Sequence, residues 1–327
     1  MLFKETKKLQ EYAEFNEVNF ASVKLTIRQV EAAYLLPILG NELYSKLNNA
    51  YTLAATEDVL SSATALLLDN CRMVIGAYVV YSYSPKSEVQ LSDAGLRRSE
   101  TQQLKTAYGY QGENFREQKL VEGESAAEAL FLFLDTNRIS YPEWTSSASF
   151  TNYQSLFIKS GSDFDSQFKT ASPYRNYWAW RYKMKEVEEG AIRDALTDGV
   201  FNDLKAKDQA GTALSANEAL LMFRIKKAIS YLTVAAALPY HTVRIDSNGL
   251  SIISPSPDNN KQQRTAASGE DLSLLIRTAG ATGKEWIEKI VALLQANPAD
   301  FPLYPVPDTT LPLTPGNEAA IGSFGLY

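Results

Sequence analysis

The feature that most constrains this chain is that it contains one pattern twice. At a constant shift of 154 residues, Leu60-Ser61 falls on Leu214-Ser215, and Ala65, Leu66 and Leu67 fall on Ala219, Leu220 and Leu221. Further along, Ile75 meets Ile229, Val80 meets Val234, Pro85 meets Pro239, Val89 meets Val243, and Gly95-Leu96 meets Gly249-Leu250. These are eleven identities in 37 ungapped positions, where a shuffled chain gives roughly two or three, so the repeat is read before any single element.

The repeat extends in both directions. Leu2-Phe3 falls on Leu156-Phe157 at the same shift, Val30-Glu31 on Val187-Glu188 at 157, and Tyr141-Pro142 on Phe301-Pro302 at 160. The drift in shift marks loop insertions. Unit one therefore spans 1–150, unit two 151–304, and residues 305–327 form a tail. The Ser/Thr/Asn-rich stretch 145–152 reads as the linker.

A chain of 327 residues has room for two cores of ordinary domain size. With 45% apolar and 21% charged residues it is expected to fold. A net charge of −6 and a pI near 5.1 leave no basic footprint for phosphate-driven nucleic-acid binding. The first residues lack the apolar core of a secretory signal, so export by that route is not expected. The most apolar stretch read from the sequence, 225–238, is too short to span a bilayer and carries Lys226, Lys227 and Tyr231. Cys71 has no partner for an internal disulfide and sits in an apolar, helix-like run.

The fold class expected is mainly α: a tandem helical unit, each copy with a small β-hairpin or ordered loop, followed by an extended C-terminal arm. In unit one, Val23, Ile27, Val30, Tyr34, Ile38 and Leu43 recur at helical spacing, with Pro37 ending or kinking the helix near Leu36. Unit two has Asp194 in place of Pro37, which predicts a straighter helix over 177–207. A second helix starts at Ser61 or Ser215 and is expected to stop at Pro85 or Pro239. Ser215-Ala216-Asn217-Glu218 has the form of a capping box. Alternating Val243, Ile245, Leu250 and Ile252 around Asn248-Gly249 predict a hairpin, echoed at Gly95. A third helix is expected over 125–137 and 284–296, with a separate helix packing across it within 97–119.

Chemistry-bearing motifs are few. His241 is the one histidine, and Ser87 stands at its place in unit one. A zinc site needs more ligands than that. The runs Glu186-Val187-Glu188-Glu189 and Glu122-Gly123-Glu124 read as solvated helix faces. No catalytic residue, metal ligand or cofactor-binding residue is assigned. The assigned residues are contact residues. Five aromatics, Tyr174, Tyr177, Trp178, Trp180 and Tyr182, lie within nine positions and cannot all face one core. Tyr174, Trp178 and Trp180 are therefore assigned to an interface with unit one or with another subunit, together with the turn residues Asn248 and Gly249. The tail carries Pro298, Pro302, Pro305, Pro307, Pro312 and Pro315 and ends in apolar Ile321, Phe324, Leu326 and Tyr327. It reads as an arm that docks on a neighbouring subunit.

The segment Ile27-Arg28-Gln29-Val30-Glu31-Ala32-Ala33-Tyr34, followed by Leu39-Gly40-Asn41-Glu42-Leu43, resembles the early helices of head-to-tail connector (adaptor) proteins of tailed phages. It is most similar to the larger version from phages and prophages of Bacteroidetes hosts. The echo at 187–204 has Thr197 in place of the glycine. The resemblance implies a virion protein, made in the host cytoplasm, that forms a ring in the phage neck and joins portal to tail. Its implied partners are other copies of itself, the portal and other neck or tail proteins. DNA would slide through the channel without sequence-specific binding, and no membrane is involved. The family unit is single whereas this chain is doubled, so ring copy number does not carry over. The alternative is an enzyme or regulator with a ligand site between the two units.

Overall fold

The structure is a computed structural model describing residues 1–15, 18–92, 95–98, 109–170, 172–241, 243–246, 249–252 and 269–305. Unit one runs α1 (Thr6–Gln10), α2 (Phe20–Val30), a π-helical turn (Glu31–Leu35), α3 (Leu36–Leu39), α4 (Asn41–Leu53), α5 (Ser62–Glu88), β1 (Val89–Ser92), β2 (Gly95–Arg98) and α6 (Gly109–Thr136). Two short helices, α7 (Pro142–Thr145) and α8 (Ala148–Gln154), lead into unit two. There the order recurs: α9 (Gly161–Gln167), α10 (Pro173–Val187), a second π-helical turn (Glu188–Ile192), α11 (Arg193–Ala210), α12 (Ala216–His241), β3 (Val243–Asp246), β4 (Gly249–Ile252) and α13 (Gly269–Ala296). The tandem duplication of a helical unit is thus a property of the fold as well as of the sequence.

Local chemistry accounts for the helix starts. Asn19 caps α2 by accepting the Ala21 N–H at 2.9 Å. Val23, Thr26, Ile27 and Val30 then bury one stripe. At α12 the Ser215 N–H donates to Glu218 Oε2 at 2.8 Å while the Glu218 N–H donates to Ser215 Oγ at 3.3 Å, a reciprocal capping box. Each hairpin is an isolated antiparallel pair, Val89 opposite Arg98 in one and Val243 opposite Ile252 in the other.

Several expectations are corrected. Neither Pro85 nor Pro239 ends its helix; α5 runs on to Glu88 and α12 to His241. Near a helix end a proline removes only one bond. At Pro85 the carbonyl left without its amide, that of Tyr81, accepts the Ser84 hydroxyl at 3.4 Å instead. The third helix is a single element of 28 residues in each unit, so no separate helix crosses over 109–119. The apolar stripe is weak there because most of residues 111–118 are exposed. The expected linker 145–152 is largely helical, with Ser147 Oγ accepting the Phe150 N–H at 3.1 Å. Trp144 beside it is fully buried and donates its indole N–H to the Ile38 carbonyl at 2.9 Å. The helix of unit two is not straight either, because Thr197 breaks it with φ 65° and ψ 160°.

Two cores result. The first gathers Leu2, Phe3, Ile27, Leu39, Leu43, Cys71, Ile75, Leu130, Trp144 and Tyr153, and the second Leu156, Phe157, Phe164, Trp180, Leu196, Ile225, Ile229, Ile290 and Leu294. The change-over falls between Tyr153 and Leu156. Cys71 is fully buried, and burial pushes its thiol well above the ordinary range. Among the described residues α5, over Ser62–Ser87, is the helix long and apolar enough to cross a membrane, rather than the stretch 225–238; 61% of its most apolar window is buried within the protein.

Candidate functional site: the seam between the units

The aromatic run on α10 is partitioned by helical geometry. Tyr177, Trp180 and Met184, at spacings of three and four, face the core of unit two and are at most 6% exposed. Trp180 therefore belongs to its own unit, edge-on to Phe164 at 5.6 Å, and not to an interface. Tyr174 and Trp178 form the neighbouring stripe and pack against the core of unit one. The Trp178 ring lies 5.3 Å from Phe131, which stacks on Tyr153 at 5.7 Å. Tyr182 points elsewhere and is half-exposed.

Polar contacts lock the same seam. Arg175 Nε donates to Glu124 Oε1 at 2.6 Å, and the Ser162 N–H donates to Glu128 Oε1 at 2.6 Å, joined there by the Ser162 hydroxyl. Glu124 is almost fully buried, against the expectation of a solvated acidic face. Gly161 is required at the entrance, since a Cβ there would lie 2.7 Å from the Pro173 and Tyr174 backbone. The void left at the seam is about 10 Å³, lined by Glu128, Phe131, Gly161, Tyr174 and Trp178. That is room for one water. Burial, then the nearby Tyr78 and Glu124, raise the Tyr174 hydroxyl far above the ordinary phenol range. Outside the seam, an open groove of about 430 Å³ lies at the Gly40 corner, between Leu36, Pro37 and the 146–149 segment.

A second pair of residues is repeated in function as well as in sequence. Glu31 and Glu188 open the two π-helical turns and are 4% and 1% exposed. Glu31 accepts the Leu2 N–H at 2.6 Å and the Tyr44 hydroxyl at 3.0 Å; Glu188 accepts the Phe157 N–H at 2.8 Å and pairs with Lys205. Each carboxylate clamps the entering segment of its unit, at Leu2 or Phe157, onto the helical corner. Glu188 was expected on a solvated face, and its burial is a correction. The identity of Val30-Glu31 with Val187-Glu188 carried the signal, but identity alone does not say that a charge is buried. Burial raises the Glu188 carboxyl above its usual range and lowers the Lys205 ammonium below its own.

Of the remaining sequence-assigned contact residues, Gly249 alone is described. Gly249 begins β4 opposite Asp246. Asn248, Ile321, Phe324, Leu326 and Tyr327 lie outside the described residues. His241 closes α12. Among the described residues no group of three or more His, Cys, Asp or Glu side chains is placed to hold a metal ion.

Fold and seam together define a mainly helical tandem-repeat protein whose two units are welded through an aromatic and ionic joint. The chain belongs to a family of unknown function (DUF6712), whose profile matches residues 35–154 and again 192–311. Both matches begin on the last residue of a π-helical turn, Leu35 and Ile192. No curated protein and no solved structure matches the chain.

Proposed function

We propose that this protein is a structural component of a phage virion, forming a ring in the neck that joins the portal to the tail. The observation that carries the reading is the corner formed by α2, the π-helical turn, α3 and α4. It holds the Ile27–Tyr34 and Leu39–Leu43 segments that resemble connector proteins, and it recurs in unit two around Thr197. The seam supports it: two units joined by the Arg175–Glu124 and Ser162–Glu128 bonds and the Trp178–Phe131 contact suit a ring segment that must bear load. A net charge of −6 suits a channel through which DNA slides, since like charges do not adhere. The C-terminal arm, residues 305–327, would join neighbours. Among the described residues the void lined by Glu128, Phe131, Gly161, Tyr174 and Trp178 at the seam is about 10 Å³, far below the volume a drug-sized ligand fills.

The test is light scattering on size-exclusion fractions of the full chain, with negative-stain imaging in the presence and absence of the portal protein of the same phage. Rings that cap the portal are the expected result. A monomer that leaves the portal bare overturns the reading.

A further inference from the structure

The seam joins two different faces. Unit one contributes Glu124, Glu128 and Phe131 of α6, and unit two contributes Ser162 of α9 with Arg175 and Trp178 of α10. Because the units are copies, each face exists twice, and among the described residues one copy of each is left without a partner element. On unit two, α13 has the length of α6 and begins 160 residues later. Glu124, Glu128 and Phe131 therefore correspond to Lys284, Glu288 and Val291. On unit one, α1 begins at Thr6 where α9 begins at Gly161, which places Lys7 at the position of Ser162. The π-helical turns at Glu31 and Glu188 place Ala21 at the position of Trp178, whereas Val18, the same count back from Glu31 as Arg175 is from Glu188, precedes the Asn19 cap of α2 and is not helical.

Lys7, Ala21, Lys284 and Glu288 are exposed, and Val18 and Val291 are half-buried. We infer that a second copy of this chain binds between these faces, with α13 of one copy against α1 and α2 of the next. Glu288 then meets Lys7 where, inside the chain, Glu128 meets Ser162. The two aromatics of the seam, Trp178 and Phe131, become Ala21 and Val291, and a bond to backbone becomes an ion pair. The Arg175–Glu124 pair is not repeated, since Lys284 stands at the place of Glu124 and α2 begins only after the residue that the count sets against Arg175. The joint between copies is thus less apolar and more ionic than the joint within a copy, as suits subunits that are soluble before they assemble. The bound face differs from the offered face, so association is head to tail and yields a closed ring or an open array. This assignment deepens the ring reading above and rests on it only for closure.

The experiment measures self-association of the full chain by sedimentation at about 0.05 M and about 0.5 M salt, with portal binding read in parallel. Glu288→Lys and Lys7→Glu are each expected to weaken self-association by about tenfold, and the double exchange to restore it. High salt is expected to weaken the natural protein as well. Single variants that associate normally, or a double exchange without rescue, overturn the inference. Copies that associate through this face but ignore the portal uphold the inference and overturn the neck reading. A chain that binds the portal but does not associate through Lys7 and Glu288 does the reverse.

Discussion

Gly40 and Thr197 occupy the same bend, 157 residues apart, with φ 75° and ψ 164° at the first and φ 65° and ψ 160° at the second. This backbone region is essentially reserved for glycine, and a β-branched residue held there stores about 1–3 kcal/mol. Thr197 is the only non-glycine residue with positive φ among those described, and its buried hydroxyl has no hydrogen-bond partner there. At Gly40 the reason for glycine is doubled, because a Cβ would lie 2.9 Å from Ser147 Cβ.

Thr197→Gly is therefore expected to stabilise the protein by about 1 kcal/mol, the relieved strain exceeding the extra entropy that glycine loses on folding. Gly40→Thr is expected to destabilise it by more than that. Urea melts of both variants check this pair, and a destabilised Thr197→Gly would show that the threonine side chain holds the corner.

The pair of Glu188 and Lys205 is buried at the second corner, and for both groups burial outweighs their mutual attraction. Lys205→Met leaves a carboxylate in the core without its cation and is expected to cost about 3–5 kcal/mol. Adding Glu188→Gln, which keeps an oxygen for the Phe157 N–H, should recover most of that loss. Thermal melts of the single and double variants decide it; a double variant no better than the single would show that the ionic bond itself stabilises the fold.

Glu57 gives the fold an acid limit. Hydrogen bonding to Arg72 holds its carboxyl below the ordinary 4.5, and Arg72 is itself almost fully buried. A depressed folded-state pKa contributes stability that is present above about 4.5 and lost as pH falls through the depressed value. Glu57→Gln should lower the melting temperature at neutral pH, and the gap to the natural protein should close as the pH drops through that window. A gap that stays constant with pH would remove Glu57 from the acid response.

Trp178 couples the units. Trp178→Ala empties a half-buried site between Phe131 and the core of unit two and is expected to cost about 2 kcal/mol, part of it at the seam. Equilibrium unfolding followed by circular dichroism should then separate into two transitions. One transition with an unchanged midpoint would mean that the remaining contacts weld the units unaided.

The arm is tested by truncation after Pro305. The shortened chain is expected to remain helical and to melt cooperatively, because the described cores end with Phe301 and Tyr304, yet to fail in joining its neighbours or the portal. The apolar Phe324, Leu326 and Tyr327 would supply that contact, at about 25 cal/mol per Å² of apolar surface covered. Complete necks built from truncated protein would make the arm dispensable, and a shortened chain that does not fold would place it in the core of unit two.

What the sequence determined by itself is what local chemistry and repetition carry. The duplication depends on identities between positions 154 to 160 apart, while the capping box at Ser215 and Glu218, the hairpins around Gly95 and Gly249 and the long central helices depend on spacing and turn residues written within a few positions of one another. Tertiary structure decided the rest. Trp178 and Trp180 sit two positions apart on one helix, and only the approach of α6 sends the first to unit one while the second stays in its own core. Glu188 looks like its solvated neighbours until the Phe157 amide and Lys205 arrive from distant parts of the chain. Thr197 is driven into a glycine conformation by the same packing, since no local preference would place it there. The physical reason is common to all three: a helix's spacing says which residues share a face, but what that face meets is set by segments far away in sequence.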